Sequence, residues 1–194
     1  SGVVAPAALI AALLATFLAG SCDSTHRAAT PLPGFSAPFV FGHFQVPADN
    51  SLTVESVELG RRLFHDPRLS ASGKVSCSTC HIQHLAFTDG RATSLVVPGK
   101  PLAFNSISLV NLMWGPQHFF WNGRAATLEE QALVPIQQPN EMAQDLGRLV
   151  ADLSKDATYR ELFESAYGEV SASAIARALA SFERTLISSH SRYD

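Results

Sequence analysis

The chain has 194 residues, 46% of them hydrophobic and 16% charged, which is enough apolar material for one globular unit with a buried core. Its formal net charge of -3 provides no basic patch, which excludes nucleic acid as a partner class. Three cysteines are present, and each stands in a context that suggests a task.

Residues Val3 to Ala19 are almost continuously apolar, with no charged side chain before Asp23. A membrane span needs about 20 apolar residues, so this shorter run resembles the hydrophobic region of a secretory signal. It ends in Leu18-Ala19-Gly20-Ser21-Cys22, small residues leading to a cysteine. Two readings of residues 1–22 stand side by side. One is a lipoprotein-type signal whose Cys22 takes a lipid anchor, with alanine rather than leucine three places before it. The other is an ordinary signal peptide in which the cysteine is incidental. Both imply export. No initiator Met or basic leader precedes the run, so a start lying further upstream is expected. Residues 23–50 are rich in Pro, Ala, Ser and Thr and show no apolar period, which reads as an extended linker. Phe35, Phe39, Phe41 and Phe44 are available there to pack onto the domain.

The folded unit is expected over residues 51–194. Val54, Val57, Leu59, Leu63 and Phe64 share one face of a helix from Val54 to Phe64, capped by Thr53 and stopped before Pro67. A turn-rich loop, Asp66 to Lys74, leads into Cys77-Ser78-Thr79-Cys80-His81. A long irregular segment follows, punctuated by Gly90, Pro98, Gly99, Pro101, Gly115 and Pro116. Loops longer than about 12–15 residues inside a compact domain usually carry function. Thr127-Leu128-Glu129-Glu130 is a capping box that opens the next helix. Met142 to Leu153 carries Leu146, Leu149, Val150 and Leu153 at helical spacing. Asp156 caps Tyr159 to Tyr167, which Gly168 ends, and Ser173 to Ile187 shows a stripe of Ile175, Leu179, Phe182 and Leu186. These stripes are core. No strand pattern stands out, so the expected fold class is all-α.

C-x-x-C-H is the attachment signature of a c-type haem. Two thiols three positions apart can form thioethers to the two vinyl groups of one porphyrin, and His81 then serves as the proximal iron ligand. A zinc site would need a second ligand pair, and no cysteine remains to supply it. A thioredoxin-like pair would need a βαβ setting that the sequence lacks. With haem in place, long loops would wrap the porphyrin, and the second axial position decides function. The candidates for it are Met113, Met142, His26, His43, His65, His84, His118 and His190. None stands out, which points to an open iron. Peroxide chemistry at such an iron also needs an acid-base group, and composition alone does not single one out.

Leu59-Gly60-Arg61-Arg62-Leu63-Phe64-His65-Asp66-Pro67-Arg68-Leu69-Ser70 and Val75-Ser76-Cys77-Ser78-Thr79-Cys80-His81 resemble the N-terminal haem domain of bacterial di-haem cytochrome c peroxidases. The likeness runs on through Leu85-Ala86-Phe87-Thr88-Asp89-Gly90, Phe120-Trp121-Asn122-Gly123-Arg124-Ala125, Leu128-Glu129-Glu130-Gln131-Ala132-Leu133, Pro139-Asn140-Glu141-Met142 and the closing Ala178-Leu179-Ala180-Ser181-Phe182-Glu183-Arg184-Thr185-Leu186. It spans Leu59 to Asp194, and its superfamily includes the di-haem enzyme that matures a tryptophan-derived quinone in methylamine dehydrogenase.

The resemblance implies a set of roles. His81 would hold the iron of the peroxidatic haem, Glu141 would be the distal acid-base, and Gln131 its polar neighbour. Trp121 would lie on the path between two haems, with Phe120 beside the porphyrin. Asn105 would help hold a calcium ion at the domain junction, although Phe104 replaces the basic residue usual before it. Several relatives place a displaceable distal histidine where Val96 and Val97 stand here, which again points to an open iron. A second haem domain is expected beyond Asp194, making this chain a fragment. The implied activity is periplasmic reduction of hydrogen peroxide to water, with electrons from a small cytochrome c or cupredoxin, in an enzyme that can be a homodimer. Two alternatives remain: a related enzyme oxidising a protein side chain, and an electron-transfer cytochrome with Met or His as sixth ligand.

Overall fold

The computed structural model describes residues 46–97, 100–115 and 117–189, with Gly2, Leu32 and Arg192. The signal segment with Cys22, the four lead-in phenylalanines, and His26, His43 and His190 lie outside the described residues. Among the described residues six α-helices are present: α1 (Val54–His65), α2 (Cys77–Cys80), α3 (Leu128–Gln137), α4 (Leu146–Lys155), α5 (Ala157–Tyr167) and α6 (Ala172–Arg184). No helix among the described residues is long and apolar enough to cross a membrane.

α1 begins where Thr53 caps it. The Thr53 hydroxyl accepts from the Ser56 amide at 3.1 Å, and the Ser56 hydroxyl accepts from the Thr53 amide at 3.0 Å. Leu59, Leu63 and Phe64 of α1 are fully buried, each such burial being worth roughly 1.5–3 kcal/mol. They pack mainly against α6, whose Ile175 and Leu179 are equally buried, and α5 adds Phe163. At the α1–α6 crossing stands Gly60. A Cβ there would come within 1.9 Å of the Ala178 carbonyl oxygen, so only glycine permits this approach. α3 and α4 complete the core with Ile136, Leu149 and Leu153.

Most sequence-derived helix bounds hold to within two residues; α6 ends at Arg184 rather than Ile187, and three further features differ. α4 starts at Leu146 rather than at Met142, because Asp145 caps it through the Arg148 amide at 2.7 Å and Ala143 is left-handed at φ 52°. The cap on α3 is half of a capping box: Thr127 accepts from the Glu130 amide, but the Glu130 carboxylate turns back to the Ala126 amide instead of that of Thr127. A two-stranded antiparallel ribbon also forms, β1 (Leu95–Val97) with β2 (Lys100–Pro101). It carries no alternation, and its pairing depends on where the long loop folds. The fold is mostly helical.

Asn50, at the end of the proline-rich stretch, is 1% exposed. Its amide donates to Glu129 Oε1 at 2.7 Å and to the Arg177 carbonyl at 3.0 Å, while its oxygen accepts from Tyr167 and Ser181 hydroxyls. Arg184 grips the same Glu129 with both terminal nitrogens, at 2.6 and 3.0 Å. A second polar cluster joins α1 to α5, where Asp66 accepts from Arg68 and from the Tyr159 hydroxyl at 2.7 Å.

Candidate haem site

Cys77, Cys80 and His81 occupy one helical turn, closed by the His81 amide donating to the Cys77 carbonyl at 2.9 Å. The i, i+3, i+4 spacing brings the three side chains to one face, and all three line a cavity of about 310 Å³. The turn is pinned at its start, where the Ser76 amide donates to the Thr79 hydroxyl at 3.0 Å. Both cysteines are free thiols. Burial, followed by the nearby Glu183 carboxyl, pushes the Cys77 thiol well above the usual range. Burial, with Asp89 and Glu141 adding to it, pushes Cys80 up to about 11. A thiol-redox pair would depress such values, so the electrostatics speak against that use.

His81 is aimed by the chain that follows it. Residues 82–88 close into a small loop through a bridge between Ile82 and Thr88. Within that loop Ala86 and Phe87 are both left-handed, at φ 54° and 57°. Non-glycine residues rarely adopt this conformation, and its cost of about 1–3 kcal/mol persists where surrounding structure enforces it. Here it presents the Phe87 carbonyl to His81 Nδ1 at 2.8 Å. Nδ1 then carries the proton and donates, leaving Nε2 as the metal-ligating nitrogen. Burial lowers the imidazole's pKa, against the opposing pull of the Phe87 and Ile107 backbone, and keeps the ring neutral as a ligand must be.

Glu141 and Gln131 reach the same cavity from the other side of the chain. Gln131 is buried in the first half of α3. Glu141 stands on the turn that leaves α3, where its amide donates to Gln138 and the Gln144 amide returns to Ile136 at 2.8 Å. Burial raises the Glu141 pKa, and Arg124 partly opposes it. Phe120, left-handed at φ 68°, lines the cavity with the Arg124 guanidinium 3.5 Å from its ring centre. Trp121 is 58% exposed at the cavity rim, and its indole N–H donates to the Asn105 carbonyl at 3.3 Å. Asn105 is half-buried in the same wall, as is Val96.

All eight sequence-derived site residues therefore border one cavity. Of the candidate sixth ligands, Met142 borders it too, whereas His65, His84 and His118 are exposed and Met113 is buried elsewhere. Two charged cavity residues were given no role by sequence reasoning: Arg124 and Glu183, the latter on α6. The signal for Glu183 was present, because position 183 falls four residues after Leu179, on the apolar stripe, where a carboxylate has no ordinary place.

A family model described as di-haem cytochrome c peroxidase matches residues 54–194. The chain belongs to that family. It is 42% identical to the methylamine utilization protein MauG of Methylophilus methylotrophus over 150 residues, 76% of this chain and 44% of that protein. It is 38% identical to the cytochrome c peroxidase Ccp of Escherichia coli K12 over 151 residues, 77% of this chain and 32% of that one. Among solved structures, a MauG-like protein associated with microbial copper homeostasis superposes with a TM-score of 0.72 at 37% identity, covering 84% of this chain and 47% of that one. The chain thus spans less than half the length of these relatives. Haem c is the family's cofactor, and this site fits it. Two free thiols and an imidazole with its Nδ1 already engaged face a single cavity.

Proposed function

We propose that this chain forms the peroxidatic haem domain of a periplasmic di-haem enzyme that reduces hydrogen peroxide to water with electrons from a small cytochrome c or cupredoxin. The observation that carries the reading is convergence: the two thiols, the oriented imidazole and a carboxyl biased toward its protonated form share one cavity. Cys77 and Cys80 would anchor haem c through thioethers and His81 Nε2 would hold its iron. When bound, the haem supplies one-electron redox chemistry and an iron site at which peroxide reacts.

The remaining work falls to the chain. Glu141 takes a proton from one oxygen of hydrogen peroxide and returns it to the other, which leaves as water. Its partial burial raises the carboxyl's pKa above the ordinary range and so favours the form that holds that proton. Gln131 offers a polar amide beside it. Trp121, at the rim and largely exposed, would face a second haem domain in this reading, which the relatives' greater length supports. Calcium held in part by Asn105 belongs to the same proposal.

The test is Glu141→Gln in haem-loaded protein. Haem content and ferric spectrum should stay as in the parent, while peroxide-dependent oxidation of a reduced donor falls by about 10²-fold or more. A variant that keeps the parent rate would sink the assignment. The kinship to MauG supports a second reading, oxidation of a protein side chain in place of a donor cytochrome. Comparing reduced donor with candidate protein substrates, at equal peroxide, separates the two. The electron-transfer alternative would use Met142, the one methionine at the cavity. It requires Met142→Leu to turn a low-spin ferric spectrum high-spin.

A further inference from the structure

Glu183 is a cavity group to which the mechanism above gives no task. It lies in the last turn of α6 and is 5% exposed, and its Oε2 is sealed from solvent without a hydrogen-bond partner among the described residues. The adjacent cation, Arg184, does not serve it, because both terminal guanidinium nitrogens are engaged by Glu129. An unpaired buried carboxylate costs several kcal/mol, which biases the group toward its protonated form. Burial, joined by the negative charge of Glu129 and opposed by Arg184, pushes it up to about 8.

Among the described residues one further cation borders the cavity, Arg124, whose guanidinium lies over the Phe120 ring and donates to Asn122 Oδ1. α2 presents the Cys77 thiol and α3 presents Glu129, while His81 and Glu141 share the cavity. On α1, Glu58, Arg61 and Arg62 pair with one another at the surface, and on α4 Arg148, Asp152 and Lys155 do the same. A buried acid whose ionised form is disfavoured can answer added negative charge in a redox cavity by taking up a proton as a carboxylate, and can release it again on oxidation.

We infer that Glu183 is the proton-accepting group linked to electron uptake in this cavity. The inference rests on the haem reading above. At a pH where Glu183 is ionised in the oxidised state, delivery of one electron to the haem site by a one-electron reductant is accompanied by its carboxylate binding one proton from solvent; on oxidation both leave. The single bond made or broken in the protein is the carboxyl O–H. The linkage is reciprocal: an added electron favours the protonated acid, and the protonated acid favours the added electron. The midpoint potential therefore falls as pH rises through the interval between the acid's pKa in the oxidised state and its higher pKa in the reduced state. Each tenfold change in proton concentration is worth at most about 59 mV for a one-electron couple. Below that interval Glu183 stays protonated throughout, and above it stays ionised, so the slope disappears at both ends.

Spectroelectrochemical titration of the haem-loaded protein over pH tests this for the parent, Glu183→Gln and Glu141→Gln. The parent should show the slope, Glu183→Gln should lose most of it, and Glu141→Gln should keep it. A slope that survives Glu183→Gln, or one that vanishes in Glu141→Gln, overturns the inference. Should Glu183→Gln fail to fold, redox-induced infrared difference spectra of the parent and Glu141→Gln decide instead. Both must gain a protonated-carboxyl C=O band on reduction, and its absence overturns the assignment. Protein that takes up no covalent haem brings down the haem reading and this inference together. Haem-loaded protein with no slope brings down this inference alone.

Discussion

The cavity has two kinds of wall. On one side stand α3 and α6, backed by α1, which pack through buried Leu, Ile and Phe side chains, with capped starts and a glycine-mediated close crossing of α1 on α6. On the other, residues 82–126 run as loops with short turns and a small ribbon, and four non-glycine residues there are left-handed: Ala86, Phe87, Asn111 and Phe120. The helical wall is where burial stabilises the fold. The loop wall contributes less buried surface, yet it carries the carbonyl that aims His81 and the rim aromatics. Function placed on loops over a rigid scaffold is a general arrangement. Glu183 is the exception, a chemically unsatisfied group built into the rigid side.

If that division is right, changes to the helical wall should move stability, and changes on the loop side should move chemistry. The largest stability loss is expected for Glu129→Ala, which strips Arg184 of both its bonds and Asn50 of one; about 3–5 kcal/mol should appear in denaturant unfolding. Gly60→Ala forces a methyl against the Ala178 carbonyl and should cost about 3 kcal/mol, read as a lowered midpoint with unchanged haem spectrum in the folded fraction. Thr53→Ala removes one half of the α1 cap and should cost about 1 kcal/mol. On the loop side, Arg124→Leu should leave the melting temperature almost untouched. It removes a charge that lowers the Glu141 pKa, so the pH profile of peroxide turnover should shift to higher pH. A large loss of stability in Arg124→Leu, or a changed pH profile in Thr53→Ala, would dissolve the distinction.

The same division explains what could be read from the chain. Caps are short-range, so Thr53, Asp156 and Gly168 announce themselves within four residues, and the stripes of α1 and α6 follow from spacing alone. The start of α4 was legible in principle through Asp145, but the apolar run beginning at Met142 masked it. Met142 is buried for another reason, as part of the turn that carries Glu141. The ribbon and the left-handed pair Ala86-Phe87 were not legible, because tertiary closure imposes them against local preference. The attachment turn could be located from its motif. Its convergence with Glu141 and Glu183 required the fold, since the three segments are far apart in the chain and meet only when α2, α3 and α6 close on one another.

Asn50 gives the molecule a mooring. Any pull along the preceding residues enters the domain where the Asn50 amide holds Glu129 on α3 and the Arg177 carbonyl on α6, and where Tyr167 on α5 and Ser181 on α6 hold it in return. The Arg177 side chain also donates to the Asp49 carbonyl one step upstream. Load arriving from a tether would thus be shared among three helices behind the haem pocket, and the loops that shape the pocket would be spared it.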